Sequence, residues 1–431
     1  MSDRPVLVVI YDEGSATVLD VTEGLEPLGD VVLALWPSPH TRTVQLLAEE
    51  LVPVVVLSED PEVSARLLRA HRPDAVLTFS EKRLHDTARL AVRLGLPYHS
   101  PETVDLLRDK HAQRTRLREH GVDSVRHHRL ERPADWEPAL AAVGLPAVLK
   151  PAGGLGSRST HLVETAEQGA ALAAALLTGA DPEPLVLEEF LRGQDRGRFG
   201  DYVSVESAVS AGGISHWAVT GKFPLSPPFR ETGQLRPAAL AATEREDVLA
   251  LVTAALRALG VTRGVTHTEV KLTSDGPRII EVNGRLGGWQ VQLARLAGDL
   301  DPVTLAGRVA LGEDVSDVRA QDEQVVFTRS FLAPYEGGTY AGVQGLRAAS
   351  ALEGVKRINC PHAPGDRLPP GVHTSEVGWM EAVVADHDAM FRLAERVAEE
   401  LSFVVEPPRE APEAPREEPG AVTALAGTTA P

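Results

Sequence analysis

The feature that most constrains this chain is a polar hairpin, THTEVKLTSDGPRIIEVNGRLGGW, which runs from Thr266 to Trp289. Alternation along its first strand places Glu269 and Lys271 on one face, because successive side chains of a strand point to opposite sides. A Ser-Asp-Gly-Pro turn leads to a returning strand in which Glu281 and Asn283 share a face. The hairpin therefore carries a carboxylate on each strand.

Pairing of the two strands would bring Glu269, Glu281 and Asn283 to a common face. Their oxygen atoms are the hard ligands that magnesium prefers when it is held together with substrate phosphates. The alternative is a solvent-facing hairpin whose acids are merely hydrated. Arg285 and a Gly-Gly pair follow directly. A face whose acids are merely hydrated would not require an arginine and two glycines beside them.

Composition limits the classes of protein to consider. The chain has 431 residues, of which 43% are hydrophobic and 24% charged, which is typical of a soluble protein with two or three domains. The net charge of −18 argues against nucleic acid as a partner, because phosphate backbones attract basic surfaces. The lone cysteine, Cys360, fits a reducing cytoplasm. The apolar run Val6–Ile10 is too short for a signal peptide or membrane span, so we expect a cytoplasmic protein without membrane contact.

The first 100 residues predict an open α/β sheet, with polar or Pro-containing turns between its strands and helical spacing from the last strand to Leu96. The predicted strands are Val6–Ile10, Val31–Leu35, Val54–Leu57 and Ala75–Phe79. Such sheets bind ligands at the carboxyl ends of their strands, which makes the turn at 11–15 and the pair Ser80-Glu81 candidates. For that pair, a polar helix N-cap is an equally good interpretation. No GxGxxG follows the first strand, which argues against a dinucleotide site.

The next segment carries lysines at two suggestive places. Helical spacing over 101–121 puts Lys110 and Arg114 one turn apart, which is most often a solvated basic face. A strand over 145–151 then delivers Lys150 into the glycine-rich segment 152–160. The backbone N–H groups of such a loop can approach phosphate oxygens closely, although a flexible hairpin has the same composition. The lysine precedes the glycines, so the pattern differs from GxxxxGK[ST].

The remaining chain alternates between predicted strands and helices, and it ends in a Pro/Ala/Glu-rich stretch, residues 406–431, that we expect to be disordered. Predicted strands cover 185–191, 201–206, 216–220, 325–331 and 382–385, and predicted helices cover 165–177, 244–259, 290–297, 302–311 and 388–401. The Pro-rich segment 224–237 reads as a loop. A loop of that length inside a domain is usually functional.

Four motifs in order resemble the ATP-grasp superfamily: the helical Lys110, Lys150 before GGLGS, the acidic LEEFL, and the hairpin ending EVNGR. DYVSVES, FRETG, HTEVKL and NGRLGGW are similar to the bacterial L-amino acid ligases, which join amino acids into dipeptides. The resemblance covers about residues 1–320. It implies an α/β protein of the ATP-grasp fold: an N-terminal open parallel α/β domain (1–100), an ATP-grasp domain (101–322) with a lid lobe at about 146–220, a C-terminal α+β region (323–405), and the tail.

The resemblance also implies roles for particular residues. Those expected to bind ATP are Lys110, Lys150, Gly154, Ser157, Glu188, Glu189, Phe190, Leu191, Asp201 and Lys271. Among them, Glu188 through Leu191 would meet the adenine, partly through backbone atoms, and Asp201 would hold the ribose. Those expected to bind Mg²⁺, which Mn²⁺ can replace, are Glu269, Glu281 and Asn283. Those expected to bind the amino-acid substrate are Glu231, Gln234, Arg285, Gly287, Gly288 and Trp289. Arg285 and Lys150 are the expected catalytic residues.

The implied reaction activates an amino acid as an acyl phosphate, couples it to a second amine, and releases ADP and phosphate. The alternatives are an ATP-grasp ligase or carboxylase for another carboxylate, and a nucleotide-binding scaffold. Trp289 would narrow the pocket for a small first substrate, although a core tryptophan is the alternative. Gln234 stands where these ligases commonly have histidine, and glutamine cannot carry charge. We expect amino-acid or small carboxylate and amine substrates, and a homodimer is compatible with the sequence.

Overall fold

A computed structural model of the chain describes residues 4–154, 159–298, 300–371 and 373–408. The expected roles of Ser157 and of most of the GGLGS loop, and the expected disorder of 409–431, lie outside the described residues. Within the described part of the chain, no helix is long and apolar enough to cross a membrane.

The N-terminal strands form the predicted parallel sheet, and their order in it is β3-β2-β1-β4. The strands are β1 (Val6–Tyr11), β2 (Asp30–Leu35), β3 (Val54–Val56) and β4 (Ala75–Leu77), and the helices are α1 (Val18–Leu25), α2 (Pro39–Leu51), α3 (Pro61–Arg69) and α4 (Leu84–Leu94). Alternation along β1 buries both faces. Leu7 and Val9 pack on the side of α1, whereas Val8 and Ile10 pack on the side of α3 and α4.

Two helices replace the single helix predicted over 101–121. They are α5 (Pro101–Arg108) and α6 (Lys110–Glu119). Asp109 has extended backbone angles and caps α6, because its side chain accepts a hydrogen bond from the backbone N–H of Ala112 at 3.0 Å. The prediction of one helix was wrong because residue spacing does not register a capping residue that restarts the helix. The break makes Lys110 the first residue of α6.

A small lobe follows, built on an antiparallel sheet in the order β5-β8-β6-β7. Its elements are β5 (His127–Leu130), a 3-10 turn (Pro133–Asp135), α7 (Trp136–Val143), β6 (Ala147–Pro151), β7 (His161–Val163), α8 (Ala166–Leu177) and β8 (Leu185–Glu189). This lobe begins earlier and ends earlier than the lid predicted at 146–220. The later strands of that range belong to the large sheet instead.

The large sheet carries the opening hairpin. Its elements from this part of the chain are β9 (Tyr202–Ser210), β10 (Gly213–Lys222), β11 (Gly233–Arg236), α9 (Ala242–Ala258), β12 (Gly264–Thr273) and β13 (Gly276–Asn283), followed by α10 (Gln290–Ala297) and α11 (Pro302–Leu311). The end of the segment 224–237, predicted as a loop, is therefore strand β11, which pairs with β10. This stretch forms a strand because it pairs with β10, and local composition does not reveal such a pairing.

The C-terminal elements extend the same sheet. They are β14 (Val325–Leu332), β15 (Gly338–Gln344), α12 (Leu346–Ser350), β16 (Val355–Asn359), β17 (Arg367–Leu368), β18 (Glu376–Val384), α13 (His387–Glu400) and β19 (Ser402–Glu406). The strand order is β13-β12-β9-β10-β11-β14-β18-β16, and β17-β15-β19 form a separate small sheet. The sheet therefore runs without interruption across the domain boundary predicted at residue 322.

Candidate active site

A cleft of about 360 Å³ lies between the small lobe and the large sheet. The predicted site residues in its wall are Lys110, Lys150, Gly154, Glu188, Glu189, Phe190, Leu191, Glu231, Gln234, Glu269, Lys271, Glu281, Arg285, Gly288 and Trp289. Wall residues absent from the predicted set include Arg114, Tyr202, Lys222, Phe229, His267 and Thr374. Motifs distributed over much of the chain thus converge on one cleft.

The two strands of the hairpin pair as the sequence predicts, with a β-bulge between Glu269 and Val270 that shifts the register by one residue. Glu269 on β12 lies opposite Glu281 on β13, and His267 lies opposite Asn283. Asn283 is buried behind the cleft wall, where its amide nitrogen donates to Oε1 of Glu281 at 3.1 Å. Two carboxylates therefore face the cleft together, and the asparagine orients one of them.

A buried cluster of charges lies next to the hairpin. The carboxylate of Glu188 accepts hydrogen bonds from Arg114 at 2.9 and 3.1 Å, and Nζ of Lys150 lies 2.9 Å from it. Nζ of Lys110 lies 3.1 Å from Oε2 of Glu281. Three cations thus share two carboxylates, which leaves an excess of positive charge suited to phosphate groups.

The pKa values of the cluster follow from this arrangement. Burial alone would raise the pKa of Glu188, but Arg114 and Lys150 lower it to about 2. Burial lowers the pKa of Lys150. Burial acts in the same direction on Lys110, yet the carboxylate of Glu281 raises the pKa of that lysine. The carboxylates are therefore ionised near neutral pH and hold the cations in place.

The carboxylates of two residues predicted to bind ATP pair with other protein side chains. Glu188 was expected to meet adenine partly through backbone atoms, and its carboxylate is bound by Arg114 and Lys150 at the lysine end of the cleft. Asp201, expected to bind the ribose, is not part of the cleft wall; its carboxylate lies 2.7 Å from Nζ of Lys271. Each of these acids forms an ion pair, because a carboxylate that is removed from water needs a partner.

The apolar end of the cleft suits a planar ring. Phe190 and Leu191 follow β8 and line the wall, as predicted for the adenine site. Phe229, from the Pro-rich segment, lies across from Phe190 with the ring centroids 6.4 Å apart. Aromatic side chains from the small lobe and from the segment before β11 therefore approach each other over this end.

His267 forms a buried ion pair beside the hairpin acids. Its Nδ1 lies 2.7 Å from Oε1 of the fully buried Glu206, and its Nε2 lies 3.5 Å from Glu269. Burial alone would lower the pKa of His267, but Glu206 raises it to about 9. Gly287 lies directly over this ring, and a Cβ atom there would come within 2.3 Å of Nδ1. Gly287 is therefore required for close packing and does not line the cleft.

Glu231 also lines the cleft, on the segment before β11. The hydroxyl of Tyr202 donates to its Oε1 at 3.2 Å, and Nζ of the buried Lys222 lies 3.6 Å away. The backbone N–H of Glu231 donates to Oγ1 of Thr374 at 3.0 Å. The C-terminal region thus contributes to the cleft and fixes the backbone of a predicted substrate residue.

Arg285 is held by the N-terminal domain. Its Nε lies 3.1 Å from Oε2 of the buried Glu81, which also faces Arg108 at 3.4 Å. Ser80 makes no side-chain cap; its hydroxyl donates to the carbonyl of Glu13 at 2.6 Å. Ser80 nevertheless occupies the N-cap position of the 3-10 turn Glu81–Arg83, with Glu81 in its first turn. The N-cap alternative is therefore correct in position and lacks only the side-chain hydrogen bond. The turn at 11–15, the other candidate, does not contribute to the cleft wall.

Trp289 and Gln234 lie next to each other in the wall. The side-chain amide of Gln234 donates to the carbonyl of Gly288 and accepts from Gln290, both at 3.4 Å. Trp289 is half-buried and adopts a left-handed backbone with φ of +66°, and its indole meets Trp379 edge to face at 5.2 Å. The core alternative for Trp289 is therefore wrong, because the ring lines the cleft.

Sequence reasoning missed several of these residues for an identifiable reason. His267 stands on the same hairpin face as Glu269, so alternation alone could have included it. Glu81 was considered, but its pairing with Arg285 joins distant parts of the chain. Lys222 and Tyr202 carried no local signal beyond their place at strand ends.

Comparisons with known proteins agree with this geometry. The model of the ATP-grasp domain matches residues 143–292, and the model described as "L-amino acid ligase C-terminal domain 2" matches residues 330–406. An uncharacterised protein, y4rH, from Sinorhizobium fredii is 30% identical over 351 residues, which cover 80% of this chain and 70% of that protein.

Two further proteins extend the comparison. Alanine–anticapsin ligase from Bacillus subtilis is 29% identical over 235 residues, which cover 51% of this chain and 49% of that enzyme. The match thus spans about half the length of that relative. The crystal structure of L-amino acid ligase from Bacillus licheniformis superposes with a TM-score of 0.75 at 22% identity, covering 94% of this chain and all of that one, which establishes the shared fold. The chain therefore belongs to the ATP-grasp superfamily of ADP-forming C–N ligases and is similar to the L-amino acid ligases.

Proposed function

We propose that this protein activates an L-amino acid as an acyl phosphate and couples it to the amine of a second amino acid, releasing ADP and phosphate. The observation that carries the proposal is the union, in one cleft, of a cationic cluster, paired carboxylates and an Arg–Trp pocket. A carboxylate is a poor acyl donor, so its coupling to an amine needs prior phosphorylation. Positioning and charge neutralisation can supply that step without a nucleophile on the protein.

The cationic end would bind the phosphates of ATP. Lys150 and Lys110 project from the end of β6 and the start of α6 into the cleft, each beside a carboxylate that fixes its position. Phe190 and Leu191 would accept the adenine ring. Phe229, opposite Phe190, would help to exclude water from a reactive acyl phosphate.

The hairpin acids fit a divalent cation. ATP-grasp enzymes use ATP and Mg²⁺, and Mg²⁺ needs only one or two carboxylates when phosphate oxygens and water complete its shell. Glu269 and Glu281 supply two carboxylates on paired strands. Among the described residues, no group of three or more His, Cys, Asp or Glu side chains is arranged to hold a metal alone. Bound there, Mg²⁺ or Mn²⁺ would neutralise phosphate charge.

The part of the cleft that contains Glu231, Arg285 and Trp289 would bind the first amino acid. Glu231 carries the negative charge that an α-ammonium group requires, and Trp289 narrows the space for the side chain. Arg285, held by Glu81, would stabilise the negative oxygen that develops when the second amine attacks the acyl carbon. The pocket therefore favours a small donor such as alanine, glycine or serine.

Gln234 distinguishes this protein from ligases with histidine at that position. Its amide is engaged with Gly288 and Gln290, and it cannot carry charge near neutral pH. In the proposed mechanism, Arg285 alone stabilises the developing charge at that point. The glutamine holds the Gly288 backbone in place.

A panel of amino acids tests the proposal directly. The purified protein is incubated with MgATP and single or paired amino acids, phosphate release is measured, and products are identified by mass. Amino-acid-dependent release with a dipeptide mass is the expected result. Activation only by a non-amino-acid carboxylate would overturn the substrate assignment, and ATP binding without turnover on any carboxylate would indicate a scaffold.

A further inference from the structure

The strand β18 of the C-terminal region lies behind the proposed amino-acid pocket. Met380 and Ala382 on this strand pack into the core beneath α13. Trp379 points to the opposite face because neighbouring strand residues alternate. On that face α10 packs against β14 and β18. Trp379 thus stands between the C-terminal region and the segment that begins α10.

The indole of Trp379 meets that of Trp289 at 5.2 Å between ring centroids, with the planes inclined by 69°. This edge-to-face geometry is attractive, because the positive edge of one ring faces the negative face of the other. Nε1 of Trp379 also donates to Oε1 of Glu381 at 3.4 Å. The hydrogen bond and the strand together orient Trp379 independently of the cleft.

Trp289 needs such support. Its backbone is left-handed, with φ of +66° and ψ of −4°, a conformation that is unfavourable for a bulky side chain. It follows Gly287 and Gly288, which have no side chains, so neither of the two preceding residues can pack a side chain on the indole. Trp289 lines the cleft, whereas Trp379 does not.

We infer that Trp379 is a positioning residue that holds the Trp289 indole against the substrate pocket, so that the C-terminal region takes part in selecting the side chain of the first amino acid. This inference rests on the proposed function. Removal of the aromatic edge at residue 379 frees the Trp289 ring to move, which enlarges the pocket. The kcat/KM for larger acyl donors then rises relative to that for small ones, while the ATP-binding part of the cleft stays unchanged.

The test compares kcat/KM for alanine and leucine as acyl donors in the full chain. In Trp379→Ala, the alanine-to-leucine ratio is expected to fall on the order of threefold to tenfold, the range that one aromatic pair supports. Trp379→Phe keeps an aromatic edge and is expected to restore most of the ratio. The KM for ATP is expected to stay unchanged in both variants.

Two further variants separate positioning from general loosening. Trp379→Leu keeps apolar bulk without an aromatic edge, so it is expected to lower the ratio as Trp379→Ala does even where the alanine variant folds poorly. Phe199→Ala removes a ring that meets Phe391 of α13 edge to face at 4.9 Å, on the opposite face of the sheet from Trp379. This control is expected to lower thermal stability and leave the ratio unchanged.

The double variant Trp289→Ala/Trp379→Ala completes the experiment. Its ratio is expected to equal that of Trp289→Ala alone, because residue 379 acts through residue 289. The inference is overturned by a parent-like ratio in both Trp379→Ala and Trp379→Leu, by an equal fall in Phe199→Ala, or by additive effects in the double variant. If the parent shows no amino-acid-dependent phosphate release, the proposed function fails first, and the inference fails with it.

Discussion

Nε of Arg285 lies 3.1 Å from Oε2 of Glu81, so a carboxylate from the N-terminal domain orients the arginine that faces the proposed reaction centre. Glu81 is 5% exposed, and Arg108 donates to its backbone carbonyl and fixes the segment in turn. The N-terminal domain thus does more than cover the sheet. It sets the direction of a charge in the cleft.

Glu81→Gln is expected to lower kcat with little change in the KM for ATP. The substitution keeps the shape of the side chain but removes the charge that holds Arg285, and a misplaced catalytic group can cost about 10²-fold in rate. Steady-state kinetics with saturating alanine measure the change. Glu62→Gln, which breaks an exposed pair with Arg93 in the same domain, is the matched control. A parent-like kcat in Glu81→Gln would mean that Arg285 keeps its orientation unaided.

Glu281→Gln is expected to remove most magnesium-dependent turnover and to raise the Mg²⁺ concentration needed for half-maximal rate. The loss should be on the order of 10²-fold to 10³-fold, because a metal ion contributes several kcal/mol of charge stabilisation. Chelation of Mg²⁺ from the parent should have the same effect, reversed by added Mg²⁺ or Mn²⁺. Glu313→Gln alters a surface pair with Arg308 and should leave the magnesium dependence unchanged. Full activity of Glu281→Gln at low Mg²⁺ would exclude the hairpin as the metal site.

Trp289→Ala is expected to broaden the choice of acyl donor. Loss of the indole enlarges the pocket, so kcat/KM for leucine should rise relative to kcat/KM for alanine. The expected rise is about 10-fold to 100-fold, the usual range when a side-chain pocket gains room for a few carbon atoms. Amino-acid-dependent phosphate release measures the ratio. Trp36→Ala removes an indole that packs against Arg83 in the N-terminal domain and serves as the control. An unchanged preference for small donors in Trp289→Ala would refute the pocket assignment.

The free energy of unfolding is expected to depend on the ionisation of Glu188 at acidic pH. Its pKa falls from an ordinary value of 4.5 to about 2 in the folded protein, so the unfolded chain binds its proton first as the pH drops. The stabilisation by ionised Glu188 is complete above about pH 4.5 and is lost as the pH falls through about 2. It amounts to on the order of 3 kcal/mol.

Thermal unfolding at a series of pH values tests this expectation. Glu188→Gln should be less stable than the parent at pH 7, because Arg114 and Lys150 then lose their shared carboxylate, and the difference should shrink between pH 4.5 and pH 2. Glu395→Gln, at an exposed pair with Arg198, should follow the parent throughout. A constant difference between Glu188→Gln and the parent across that range would contradict the ionised, paired state of Glu188.

The sequence alone determined the local parts of this protein. Alternation and a short turn predicted that the hairpin brings Glu269 and Glu281 to one face. The β-bulge between Glu269 and Val270, which sets Glu269 opposite Glu281, was not predicted. The parallel N-terminal sheet followed from apolar runs separated by turns, and the order of the lysine, glycine-rich, acidic and hairpin motifs indicated the fold. Each of these signals lies within a short stretch of chain.

Only the tertiary structure decided which distant residues meet. The pairing of β11 with β14 joins the ATP-grasp domain to the C-terminal region, and it places Trp379 behind Trp289 and Thr374 beside Glu231. The contacts Glu81–Arg285 and Glu206–His267 likewise join elements far apart in the chain. Such contacts depend on how the large sheet, the small lobe and the N-terminal domain pack together. A local pattern carries no information about packing between remote elements, which is why the sequence supplied the reacting groups and the fold supplied the residues that hold them.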